Sequence, residues 1–121
     1  MKKKIDKFEL EGITYVPENS QMAEQRDGMD YVMIRTYSAG VHCGYLKERK
    51  GKEVTLLDSI RIWKWDGAAS LSQLSQEGTN APAGCKFAMP IKEIILTEAI
   101  EIIKMTEMAK KSIEEVLSWK K

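Results

Sequence analysis

The chain of 121 residues is poor in the side chains on which most compact chemistry depends: it has one histidine, two cysteines and three prolines. Cys43 and Cys85 are too few and too far apart for a disulfide scaffold or a zinc cluster, and both read as small buried hydrophobes. No apolar run approaches the roughly 18 to 20 residues needed to cross a bilayer, so no membrane partner is expected. The basic start MKKKIDKFELEG is not followed by the apolar stretch of a secretory signal, which predicts a cytoplasmic protein. Neither sign of charge is in excess: 19 Lys+Arg stand against 18 Asp+Glu, a net charge of +1. Proteins that grip a nucleic-acid backbone carry a strong basic surplus, so a nucleic-acid polymer is disfavoured as partner.

Catalytic sets are scarce as well. The single histidine, His42, is followed by Cys43, and neighbours along a strand point to opposite faces, so the two do not form a nucleophile pair. Glu98, Glu101, Glu107, Glu114 and Glu115 fall on the polar side of a helix predicted for the C-terminal 25 residues and read as a solvated face. No G-x-G-x-x-G or P-loop is present, and metal-ligand spacing is missing. The sequence therefore names no catalytic residue, no metal and no cofactor.

What is present is an ordinary globular composition, 43% hydrophobic and 31% charged, at a length that suits a single domain. Residues 7–16 alternate as one short strand, with Gly12 at a bend, and PENSQMAEQRDGMD reads as a connector. Residues 1–30 thus form an arm and connector ahead of one ligand-binding domain over 31–121. In DYVMIRTYS, Val32 and Ile34 share one face and Tyr31, Met33, Arg35 and Tyr37 the other. Ser38-Ala39-Gly40 turns the chain into a strand over VHCGYLKERK, and Lys50-Gly51-Lys52 turns it into a third over 53–65. By parity Val54, Leu56, Ile60 and Ile62 lie on one side of that strand, and Leu57, Arg61, Trp63 and Trp65 on the other.

AASLSQLSQEG reads as a short helix ended by Gly78, TNAPAG as a loop, and CKFAMPIKEIIL as a last strand interrupted at Pro90. Ala99, Ile102, Ile103, Ala109, Ile113, Val116 and Leu117 recur near the helical period, with Thr97 as the cap and Glu107 four residues before Lys111. The expected fold is α+β: a small antiparallel, strongly curled β-sheet with one short helix and a long C-terminal helix. Ile100, Met105 and Met108 widen the apolar stripe of that helix, which predicts a homo-oligomer.

The residues that stand out are Arg61, Trp63 and Trp65, with Arg35, Tyr31 and Tyr37 beside them if the strands share a sheet. Aromatic faces stack on nucleobases and guanidinium forks grip phosphate oxygens in pairs, a combination suited to a nucleotide. The alternative is that both tryptophans are core. Thr79, Asn80 and Phe87, in and after the TNAPAG loop, complete the candidate ligand-binding set of Arg35, Tyr37, Arg61, Trp63 and Trp65.

Several segments carry a resemblance: Arg35-Thr36-Tyr37-Ser38-Ala39-Gly40, Arg61-Ile62-Trp63 leading into Gly67-Ala68-Ala69, Leu71-Ser72-Gln73-Leu74, Gly78-Thr79, and Ile95-Leu96-Thr97-Glu98-Ala99. In order and spacing, from about Tyr31 to Lys120, the chain resembles the phage-encoded Thoeris anti-defence sponge family. The resemblance implies a protein of the infected or lysogenic host cytoplasm that sequesters glycocyclic ADP-ribose made by bacterial TIR-domain enzymes, without degrading it. It also implies pockets between protomers and, in some assemblies, separate sites for cyclic trinucleotides. Two other classes explain parts of the same pattern: an enzyme cleaving an ADP-ribose compound, which needs a carboxylate or His42 in the pocket, and a structural or adaptor protein that binds no small molecule.

Overall fold

The computed structural model describes residues 8–10, 13–15 and 21–121. Near the N-terminus, β1 (Phe8–Leu10) and β2 (Ile13–Tyr15) pair antiparallel from Phe8↔Tyr15 to Leu10↔Ile13. The single strand expected over 7–16 is therefore two short strands that satisfy one another. Gly12, expected at a bend, lies outside the described residues.

The body is a six-stranded antiparallel sheet of β3 (Tyr31–Thr36), β4 (Val41–Lys50), β5 (Glu53–Lys64), β6 (Lys86–Phe87), β7 (Ile91–Leu96) and β8 (Ala99–Lys104). Its path runs β6-β5-β4-β3-β8, with β7 also paired to β5. Two helices, α1 (Leu71–Glu77) and α2 (Glu107–Glu115), complete it.

This corrects the expected fold class. The chain is mostly β, and its sheet is open rather than closed or strongly curled, with β8 at one edge and β6 and β7 at the other. The long C-terminal helix is also corrected, because residues 99–104 of it are strand and α2 has nine residues. Ile102 and Ala99 pack against the cluster of Val32, Ile34, Val54, Leu56 and Leu96, whereas Ile103 packs against the other cluster, around Met33 and Cys43. A strand with apolar contacts on both faces reads as a nearly continuous apolar run, which imitates a helical stripe, while its β-branched isoleucines favour extended backbone. Thr97 lies between β7 and β8, and the N-cap is Thr106, whose Oγ1 accepts from Ala109 N–H at 3.1 Å. The ion pair on α2 is Lys110 to Glu114, at 3.3 Å. Of the residues counted as surplus apolar surface, Met105 is buried core, Met108 is half-buried and Ile100 is exposed.

The shorter helix keeps its expected form. Ser70 caps α1 by accepting from Gln73 N–H at 3.2 Å, and Gly78 ends it at φ 77°. A Cβ on Gly78 would stand 2.4 Å from Ser112 Cβ, so glycine is needed there both for conformation and for the approach of α2.

A bulge in β5 decides which of its side chains share a face. Cys43 pairs with Ile60 but Tyr45 pairs with Leu57, so β5 carries one residue more than β4 across this step. Asp58 sits in the excess at φ 51°, its carboxylate held by Arg26 at 2.6 Å. An extra residue reverses the faces of every side chain beyond it. Val54 and Leu56 accordingly pack with Val32 and Ile34, while Ile60 and Ile62 pack on the opposite face with Met33, Cys43, Leu74 and Ile113. Opposite the bulge, Gly44 leaves room for the strand: a Cβ there would meet Leu57 O at 2.9 Å.

Candidate ligand-binding site

The reversal at Asp58 decides where Arg61 goes. It stands opposite His42 in the β4–β5 ladder, and His42 stands opposite Ile34 in the β3–β4 ladder. Arg35 pairs instead with Val41, a member of the other cluster, so the two arginines share a sheet but occupy opposite faces. The expectation that Arg35 lies beside Arg61 is thereby corrected. Arg35 donates from Nε to Glu101 Oε1 at 2.9 Å in an exposed pair.

Arg61 is exposed, so water relieves the cost of its charge. It differs from the other arginines of the described residues in its partners. Arg26 is paired with Asp58, Arg35 with Glu101, and Arg49 donates to Gly51 O. Arg61 has no acidic partner among the described residues.

Two hollows flank it. One, of about 210 Å³, is walled by His42, Ser59, Arg61, Met89, Ile91 and Ile94. The other, of about 290 Å³, lies between the Ser38–Gly40 turn and Arg61, Ile62 and Trp63. Each is small for a pocket that swallows a whole ligand, for which roughly 300–1,000 Å³ is usual; taken together they reach that range.

The first hollow is mainly apolar, and two buried polar residues, His42 and Ser59, contribute to its wall. His42 is fully buried and its Nε2 lies 2.9 Å from Ala39 O; a carbonyl only accepts, so Nε2 carries the proton. Nδ1 of the neutral ring is then a lone-pair acceptor, and it has no partner. Burial holds the His42 pKa below the ordinary histidine value, the hydrogen bond to Ala39 opposes this, and the Arg61 charge adds to the lowering. Ser59 Oγ, also buried, likewise has no partner.

The other expected residues separate. Trp63 is 64% exposed and stacks on Trp119, with ring centroids 6.5 Å apart and planes at 21°. Trp65 is half-buried against the main cluster and donates from Nε1 to Ala68 O at 3.2 Å, and Phe87 is buried in that cluster; both are core. Thr79 donates its hydroxyl to Asp66 O and its N–H to Ser112 Oγ, so it ties the α1–β6 loop to α2. Asn80 and Tyr37 are exposed. A wider depression of about 590 Å³ along α2 includes Thr79, Lys111 and three glutamates, but no buried polar atom without a partner.

Sequence reasoning missed Ser59, Trp119 and the place of His42. Trp119 reaches Trp63 because its N–H donates to Phe87 O at 2.8 Å, joining the C-terminal tail to β6. Nothing local to residue 119 signals that. Cys43 is buried and its thiol pushed up by burial, while Cys85 is half-buried; both are free. Among the described residues no group of three His, Cys, Asp or Glu could hold a metal ion, and no helix is long and apolar enough to cross a membrane.

Fold and site together describe a small, mostly β domain with an arginine that has no acidic partner among the described residues and lies between two hollows. Residues 29–113 match the family model DUF6948, a domain of unknown function, and the chain belongs to that family. No curated protein and no solved structure matches it.

Proposed function

We propose that the chain is a viral anti-defence sponge that binds glycocyclic ADP-ribose at the Arg61 surface and holds it without degrading it. The observation that carries this is Arg61: a guanidinium without an acidic partner among the described residues, set between two hollows and next to the exposed ring of Trp63. A pyrophosphate accepts paired hydrogen bonds from such a fork, and an exposed indole supplies a stacking face for adenine. The reading includes a homo-oligomer in the host cytoplasm, with a second copy closing the shallow hollows; light scattering at micromolar concentration measures it.

One observation favours an enzyme acting on the same ligand: His42 lines the hollow beside Arg61. Against it, His42 Nδ1 and Ser59 Oγ each lack a partner, so they are not bonded to each other and no activated hydroxyl is formed. Incubating protein with glycocyclic ADP-ribose, removing free ligand, denaturing and weighing what is released distinguishes the classes. Intact ligand at near-stoichiometric amount is the sponge outcome, a changed mass makes the protein an enzyme, and no retained ligand overturns both.

A further inference from the structure

We infer that Trp63 and Trp119 are the two jaws of an aromatic clamp that takes the purine ring of an anionic nucleotide between them. This rests on the reading of the Arg61 surface as the binding site and adds its second wall, which comes from the C-terminal tail.

The rings face one another without closing on one another. Their planes lie within 21° of parallel and their centroids are 6.5 Å apart. Carbon atoms in contact are about 3.5–4 Å apart, so a ring lying between two others needs roughly 7 Å from one outer ring to the other. The observed separation is close to that and far from the spacing of two rings centred on each other. Exposure agrees: Trp63 is 64% and Trp119 50% exposed, so each indole offers much of its surface to solvent.

Each jaw is aimed by backbone. Ile62 pairs with Phe87 but Lys64 with Lys86, which leaves Trp63 in excess on β5, and a bulge of this kind re-aims a side chain. Trp119 is set by a tail that bridges in parallel from Ser118 to Phe87 and donates Trp119 N–H to Phe87 O at 2.8 Å.

The charge around the jaws fits an anion. Lys86 Nζ lies 5.0 Å from the centroid of Trp119, and Lys86 stands opposite Lys64 in the β5–β6 ladder, a like-charge juxtaposition that is unfavourable by itself. Neither lysine has an acidic partner among the described residues. Trp63 also shares the hollow of about 290 Å³ with Arg61, so a ring in the clamp and a phosphate on the guanidinium can belong to one molecule. Two fused rings cover more of an indole than one does, which favours a purine.

Protein carrying 5-fluorotryptophan shows three fluorine signals, for Trp63, Trp65 and Trp119, each assigned by its Trp→Phe variant. Titration with AMP is expected to move the Trp63 and Trp119 signals together and saturably while Trp65, packed against the core, stays put. Ribose 5-phosphate, which has no base, should leave Trp119 unmoved. Trp119→Leu should weaken AMP about 5- to 100-fold, the weight of one stacked base, without altering ribose 5-phosphate binding, and Trp119→Phe should recover part. A Trp119 signal unmoved by millimolar AMP, or moved equally by ribose 5-phosphate, overturns the clamp, as does unchanged AMP affinity in Trp119→Leu. Tighter binding of an oligoadenylate than of AMP, compared per base, overturns the assignment to a free nucleotide. The wild-type titration needs no variant to fold. If glycocyclic ADP-ribose is retained equally by wild type and Trp119→Leu, the clamp falls and the sponge reading stands. If AMP moves the Trp119 signal but glycocyclic ADP-ribose is not retained, the sponge reading falls and the clamp stands.

Discussion

His42 and Arg61 face each other across the β4–β5 ladder, one fully buried and the other exposed. The pairing puts a neutral acceptor behind a cation on the same sheet face, and it exists because β5 gains a residue at Asp58. Without that bulge Arg61 would share a face with Arg35, whose charge is already neutralised by Glu101.

Arg61→Ala is expected to weaken glycocyclic ADP-ribose binding by about 10- to 100-fold, the equivalent of roughly 1.5–3 kcal/mol for hydrogen bonds from a charged donor. Arg61→Lys should recover only part, since it restores charge without the planar fork. Neither change should move the melting temperature appreciably, because the side chain is exposed and without an acidic partner among the described residues. Titration calorimetry beside a melting curve measures both, and unchanged affinity removes Arg61 from the site.

Stability should depend on pH through His42. Its folded pKa lies below the unfolded value of 6.5, chiefly because the ring is buried. Between those two values the unfolded chain binds more protons, so stability rises with pH there. The contribution is complete above about pH 6.5 and is lost as pH falls toward the folded pKa. Urea midpoints from pH 5 to 8 should show this slope, and His42→Gln should flatten it; a slope of the same size in the variant assigns it elsewhere.

The two threonines near the C-terminus should behave differently. Thr106 caps α2 and donates to Gln76 O at 2.6 Å, so Thr106→Ala is expected to cost about 1–2 kcal/mol. Thr97 is exposed between β7 and β8, and Thr97→Ala should stay within about 0.5 kcal/mol. Chemical denaturation of both variants checks this; the opposite ranking would remove Thr106 as the cap that matters for α2.

Trp63 and Trp119 should give a coupled signal in near- and far-ultraviolet circular dichroism, as nearly parallel indoles 6.5 Å apart do. Replacing either ring by Ala should abolish it and cost about 0.5–1.5 kcal/mol. If Trp63 stacks on adenine, saturating ligand should change the same signal. Persistence of the couplet in Trp119→Ala would show that the tail does not reach β5.

The hairpins β3–β4 and β4–β5 were legible because Ser38-Ala39-Gly40 and Lys50-Gly51-Lys52 act locally, through backbone freedom and turn polarity. The cap at Gly78 was legible for the same reason. Residues 99–104 were not, since Ala99, Ile102 and Ile103 meet two different clusters and the resulting apolar run fits a helix as well as a strand. The site was half legible. Arg61 and Trp63 stood out by residue type, yet their face was misassigned, because parity along β5 holds only until Asp58. Pairing with β4 reverses it there, and that register belongs to the contacts of two strands rather than to either sequence. Trp119 reached Trp63 through the tail's bond to β6, and His42 and Ser59 became unpartnered only when packing closed around them. Chemistry of single side chains can be read along a chain; which of them look into one hollow depends on strand register and burial, and these are set by residues far away.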